Sequence, residues 1–416
     1  MLGARNILAP IFYTSWEVMD LEYRIAKKLP DAQENIILQV VGASMKVPGC
    51  ISFAMGSPAV ESIPVDILKE CAHEAFDENP MAVLQYGPMA GDVALAEWIK
   101  NRVITAKGAS EKDNKVLILT GSGKALGLVP RTLCDENDEV YMDAFTFPNA
   151  YISVRNVGGM AIGIPMDEDG MLPEELEKVA ASGKGKYIYL IPNFQNPTGR
   201  TMSLQRRREI YEIAKKYNLI IYEDDPYGDV RFTGDDVPTF KSIDVDNRVL
   251  YVGSFSKTLS AGLRVGYIYG PSQLIDKLAA VRSGDGQDPL FNQIIIRKCL
   301  EKLSFTDHLD NVQRIYGRKA KLMAEILQKE CSSRCRVETP SGGMFAWVTM
   351  PEDVDIDEFQ AAVLNSGVAV VKSAAFAVDA AKPGHGIRLN FSAPTDENII
   401  KGSRLFAKLT RDFCDK

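Results

Sequence analysis

VLYVGSFSKTLSAGLRVGYIYG, residues 249–270, reads as a strand, a hydroxyl-rich turn and a second strand. Its first seven residues are apolar, rich in β-branched side chains and closed by small ones, the pattern of a buried strand. Lys257 follows that strand's C-terminal end, with Ser254, Ser256 and Thr258 around it and Arg264 one short loop later. A lysine there is costly unless it is paired, shifted in pKa or covalently used. For the stretch alone, a surface lysine in a loop is the plainer alternative. The hydroxyls and Arg264 instead suggest a pocket for a dianionic phosphate with an amine beside it, an arrangement that holds pyridoxal phosphate as a Schiff base.

Outward from this stretch, strand-like and helix-like segments alternate. VLILT, EVYMD, MAIGIPMD, YIYLIP and LIIYED precede VLYVGSF and RVGYIYG, with helical patterns such as LPEELEKVAAS and SLQRRREIYEIAKKYN between them. Runs of this kind predict an α/β fold with a mostly parallel seven-stranded sheet covered on both faces. Sites in such sheets lie at the C-terminal ends of the strands. Three units are expected: an N-terminal helical arm over 1–50, a large cofactor-binding domain over 51–300 and a small α+β domain over 301–416. The start of the large domain is shared with the small one.

The bulk properties narrow the function. The chain has 416 residues and a formal net charge of −7, which gives no electrostatic case for nucleic acid or an anionic membrane. No apolar run is long enough to span a bilayer, and the first residues lack the pattern of a signal peptide. Seven scattered cysteines fit reduced thiols in a cytoplasm. The three histidines do not cluster at ligand spacing, so no metal site is expected.

The other chemistry-bearing stretches fall at predicted strand ends. In TGSGKALG, residues 120–127, free N–H groups at a helix start make an anion site; Ser122, Gly123 and Lys124 are the candidates. The spacing departs from a nucleotide P-loop, because Ala125 follows Lys124. Phe147 is placed to stack on a flat ring, and a core phenylalanine is the equal alternative. In PNFQNPTG, Asn196 can donate to a phenolic oxygen or to a carboxylate. IIYEDDPYGDV crowds three acids, which favours a cationic partner for one of them. Asp224 is the choice, facing a pyridinium nitrogen, with Tyr227 toward the ring oxygen; a solvated acidic loop is the alternative. Arg388 lies inside an apolar strand and needs either an internal acid or a substrate carboxylate.

Taken in order, these motifs resemble fold-type I pyridoxal phosphate aminotransferases of class I and II. YGP…G from Tyr86, TGS, NPTG, DDPY, SFSKT…RxG, GGMF and IRLNF carry the likeness. They are most similar to the branch of aminoadipate and kynurenine aminotransferases. The resemblance implies that Lys257 carries the cofactor, Asp224 binds its ring nitrogen, and Tyr227 and Asn196 bind its hydroxyl. Ser122, Gly123, Ser254, Ser256 and Arg264 would hold the phosphate. Tyr86 would reach the phosphate of a neighbouring subunit, which implies a homodimer with shared sites. Arg388, Asn196 and the backbone near Gly56 would hold a substrate carboxylate. The implied reaction moves an amino group between an L-amino acid and a 2-oxo acid by a ping-pong route. A β-lyase, oxidase or racemase is the alternative, and a non-catalytic binding protein a further one. A regulator of the same family is disfavoured, since no basic N-terminal DNA-binding domain is seen. The sequence departs from the family at Gly123 or Lys124, at Phe147, at Lys372 and Ser373, and over the polar stretch SGDGQDPLFNQ, residues 283–293.

Overall fold

The computed structural model describes residue 26 and residues 36–415. Most of the expected N-terminal arm lies outside the described residues; within its range Ile36–Ser44 is a helix.

Seven strands make the large sheet: β1 (Asn114–Leu119), β2 (Glu139–Asp143), β3 (Met160–Ile164), β4 (Gly185–Leu190), β5 (Ile220–Asp224), β6 (Val249–Ser254) and β7 (Gly266–Pro271). Their order is β1-β7-β6-β5-β4-β2-β3. β7 runs antiparallel to both its neighbours, and the other pairs are parallel. The reversal has a local cause. Residues 255–265 join β6 to β7 without a helix, and a parallel return needs a longer crossover.

Successive residues on these strands enter different apolar clusters, as a two-faced sheet requires. Leu117, Leu119, Val140, Met142, Tyr189, Tyr222, Leu250, Val252 and Ile268 share one cluster. On the opposite face, Ile118, Tyr251 and Tyr269 pack with Leu95, Ile99 and Val103, while Tyr141, Ile188 and Ile221 pack with Leu176, Ile210 and Ala214.

A second, antiparallel sheet holds β8 (Arg336–Glu338), β9 (Phe345–Thr349), β10 (Val371–Lys372) and β11 (Gly386–Asn390), in the order β8-β9-β11-β10. The helices Phe305–Glu330 and Asp396–Cys414 pack on each other beside it. Ile51–Ser52 pairs in parallel with Val368–Ala369, and Asn390 N–H donates to the Phe53 carbonyl at 2.8 Å. Residues 51–57 are thereby held to this second unit, although they precede the whole large sheet in sequence.

Candidate active site

Register across three strands builds one end of the site. Leu119 of β1, Gly266 of β7 and Ser254 of β6 stand side by side. The chain leaves β1 through Gly121, at φ +76°, and starts the helix Ser122–Leu133 with no side-chain cap. The first N–H groups of a helix lack intrahelical acceptors and carry the positive end of its dipole. Arg264 closes against them: a Cβ on Gly121 would meet its Nη2 at 2.4 Å. Arg264 Nη1 lies 3.3 Å from Ser256 Oγ, and Ser254 Oγ accepts the Ser256 N–H at 3.1 Å. A Cβ on Gly266 would lie 2.4 Å from Ser122 N, so glycine alone permits this approach. The fold thus gathers Ser122, Gly123, Ser254, Ser256 and Arg264, which lie far apart in sequence. Lys124 is directed elsewhere. Its N–H donates to the Gly121 carbonyl at 3.1 Å and its ammonium lies 3.5 Å from Asp285.

The three acids at the end of β5 have distinct partners. Glu223 accepts the N–H groups of Phe240 and Lys241. Asp225 accepts from Asn193 at 2.8 Å and Tyr251 at 2.9 Å. Asp224 accepts at Oδ2 from the Tyr189 hydroxyl at 2.7 Å, while its buried Oδ1 has no partner. Burial pushes the Asp224 carboxyl up to about 7, partly offset by the Tyr189 hydrogen bond and reinforced by the Asp225 charge. A buried acceptor left bare is costly, and a cationic donor is what it lacks.

Lys257 and Arg388 meet residues 54–56 from opposite units. Lys257 Nζ donates to the Gly56 carbonyl at 2.7 Å. Burial first, and then the charges of Arg264 and Arg388, lower the lysine to about 8. The Tyr316 hydroxyl donates to the Lys257 carbonyl at 3.3 Å and accepts the Ala59 N–H at 3.3 Å, fixing the backbone on both sides. Arg388 is 2% exposed. It donates to Asn196 Oδ1 at 2.8 Å and to the Ala54 carbonyl, and its Nε has no partner. Its guanidinium lies over Phe345 at 4.3 Å and Phe376 at 4.7 Å. Among the described residues, no carboxylate lies within ion-pair distance of Arg388; burial lowers it to about 10, so it stays cationic at neutral pH.

Tyr227 is buried, its ring edge-on to Phe345 at 6.0 Å, and burial raises its phenol. Phe147 is half-buried and leads into the helix Pro148–Asn156. Tyr86 is 91% exposed and stands outside the buried cluster of its own chain. Sequence reasoning missed Tyr189, Tyr316, Phe376 and the Ala54 carbonyl. Tyr189 carried a usable signal, being a tyrosine near the end of a predicted strand adjacent to the one bearing Asp224.

A family model for aminotransferase class I and II matches residues 48–402. An aromatic-amino-acid aminotransferase of Thermococcus litoralis is 33% identical, the match covering 87% of this chain and 88% of that one. A 2-aminoadipate transaminase of Thermus thermophilus is 31% identical over 86% of this chain and 89% of its own. Among solved structures, a Pyrococcus horikoshii kynurenine aminotransferase in complex with PMP superposes with a TM-score of 0.87. It is 29% identical, covering 93% of this chain and 97% of that one.

Proposed function

Because the chain belongs to the class I and II aminotransferase family, its activity is transamination with pyridoxal phosphate, and we propose that Lys257, Asp224 and Arg388 carry it out. The observation that carries this assignment is Asp224 Oδ1, a buried carboxylate oxygen with no partner, in a chain whose Lys257 is lowered to about 8.

The residues present fit the cofactor. The bare Asp224 oxygen suits a protonated ring nitrogen, and the uncapped helix start with Arg264, Ser254 and Ser256 suits a phosphate dianion. Tyr227 and the Asn196 amide would hold the ring hydroxyl, and Phe147 would flank the ring. When bound, pyridoxal phosphate supplies an aldehyde that exchanges with amino groups and a ring that takes up electrons as the α-proton leaves.

The chain's own residues do the rest. The Lys257 amine is partly neutral near pH 7 to 8 and can remove a proton and return it. Asp224 keeps a proton on the ring nitrogen by offering a negative charge to it. Arg388 holds the substrate carboxylate with the planar fork that an internal acid does not occupy, and Asn196, bound to that fork through Oδ1, orients it. Gly56 borders this clamp.

We further propose a homodimer in which the exposed Tyr86 reaches the neighbouring subunit's phosphate, and a cytoplasmic location, supported by seven unpaired cysteines. We also propose an arm over 1–50, a large domain over 51–300 and a small one over 301–416; the separation of the seven-stranded from the four-stranded sheet supports the boundary between the last two. Among the described residues, no helix is long and apolar enough to cross a membrane. Aromatic amino acids, 2-aminoadipate and kynurenine, which name the relatives, are the first donors to test.

The test is a half-reaction. The enzyme is mixed with one amino acid and no oxo acid while cofactor absorbance is followed. The expected result is one equivalent of oxo acid per site, then no further change until a second oxo acid is added. Continuous product release without an acceptor would assign a lyase or oxidase instead.

A further inference from the structure

The polar stretch 283–293 touches two parts of the site at once. Asp288 Oδ1 accepts the Thr120 N–H at 2.8 Å and also the Thr120 hydroxyl. Thr120 immediately precedes Gly121, Ser122 and Gly123. Asp288 Oδ2 accepts from Arg282 Nη1 at 2.8 Å, and the two residues are 4% and 3% exposed. Arg282 also donates to the Ile118 carbonyl at 3.2 Å and to the Met89 carbonyl.

The second part is the loop that carries Tyr86. Gln287 Oε1 accepts the Gly87 N–H at 2.9 Å, and Gln293 Oε1 accepts the Asp92 N–H at 2.9 Å. The fit leaves no room: a Cβ on Gly87 would lie 2.6 Å from Leu290 Cδ2, and one on Gly91 2.4 Å from Gln293 Oε1. A buried ion pair is weak evidence for stability, and Arg282 Nε has no partner, but the hydrogen bonds to Thr120, Ile118 and Met89 tie this pair to one geometry. Arg282 also balances the Asp288 charge, so the carboxylate can hold the turn with less repulsion toward an anion seated there.

We propose that residues 282–293 form a brace, with Asp288 and Gln287 as positioning residues. Asp288 sets the phosphate turn of one subunit, and Gln287 sets the Tyr86 loop offered to its neighbour. This rests on the reading of that turn and of Tyr86 as phosphate ligands. The probes are pyridoxal phosphate and pyridoxal, which lacks the phosphate, each titrated into apoprotein by absorbance. Thr120→Val and Asp288→Asn are expected to weaken pyridoxal phosphate by about tenfold and pyridoxal by less than about twofold. Thr120→Val leaves the Asp288–Arg282 pair whole, which guards against a folding failure. Gln287→Ala is expected to weaken pyridoxal phosphate alone, and to add nothing in a Tyr86→Phe background. Equal losses for both ligands, or additive Gln287 and Tyr86 effects, overturn the brace. Wild-type protein that takes up neither ligand overturns the underlying site reading, and the brace with it.

Discussion

The Tyr189 hydroxyl donates to Asp224 Oδ2 at 2.7 Å and leaves Oδ1 of the same carboxylate without a partner. One oxygen is fixed by a neighbouring strand, so the other is aimed before any ligand arrives. Asp224→Asn is expected to lower kcat/KM by about a thousandfold with little change in fold, checked by steady-state kinetics and circular dichroism. Tyr189→Phe removes the contact that holds the carboxyl down and is expected to cost about tenfold in kcat.

Asp224 also predicts a pH signature in the apoprotein. Its folded pKa is raised to about 7 from an ordinary 3.8, so between those values the folded state retains a proton that the unfolded state loses. Its contribution to stability therefore falls as pH rises from about 4 to 7. Apoprotein Tm measured across that range should slope downward from this group, and less steeply in Asp224→Asn. Glu223, raised to about 7, and Asp143, raised to about 6, add slope of the same sign in both proteins.

Lys257 has the opposite kind of shift. Its amine is lowered from 10.5 to about 8, so the neutral form dominates above that pH. The rate at which apoprotein captures the cofactor aldehyde is expected to rise with pH, with a midpoint near 8. A midpoint near that of a free lysine would contradict the burial argument. Lys257→Ala should show no turnover.

Arg388 is buried without a carboxylate among the described residues to pair with. Arg388→Met is expected to raise KM at least about a hundredfold, because the carboxylate loses a bidentate partner. Its Tm should stay level or rise, since removing an unpaired buried charge offsets the lost ring stacking and hydrogen bonds. Thermal scans beside KM measurements separate the two effects.

Two glycines of TGSGKALG give a paired test. Gly121 has φ +76° and no room beside Arg264, whereas a Cβ on Gly127 meets nothing within 4 Å. Gly121→Ala is expected to weaken cofactor binding and to destabilise by about 1–3 kcal/mol. Gly127→Ala should be neutral or stabilising by up to about 1 kcal/mol. Absorbance titration and denaturant unfolding check both.

The large sheet was readable because its strands are compact apolar runs between helical patterns, and the glycines and serines at their ends mark turns. The direction of β7 was readable in principle from the short link of 255–265, but strand composition alone does not show it. Arg388 stood out as a charge inside an apolar strand and Lys257 as one at a buried strand's end, while Asp224 and Asn196 were marked by a crowd of acids and a proline-rich turn at strand ends. Their partners did not. Phe345 and Phe376 look like ordinary core aromatics, and nothing local to MGSP reveals that Ala54 and Gly56 offer carbonyls to Arg388 and Lys257. Lys124 looked like an anion ligand because it follows a glycine turn, yet Asp285, distant in sequence, takes its charge.

The clustering of Lys257, Arg264 and Arg388 has a consequence for capture kinetics. The chain as a whole carries a formal charge of −7, so its distant field opposes the approach of anionic substrates. The inward cations act over a short range behind low-dielectric walls, where added salt screens weakly. Salt damps the long-range repulsion first. Raising ionic strength from very low values should therefore leave the association rate of a dicarboxylate unchanged or higher, the reverse of an enzyme that steers its ligand from afar.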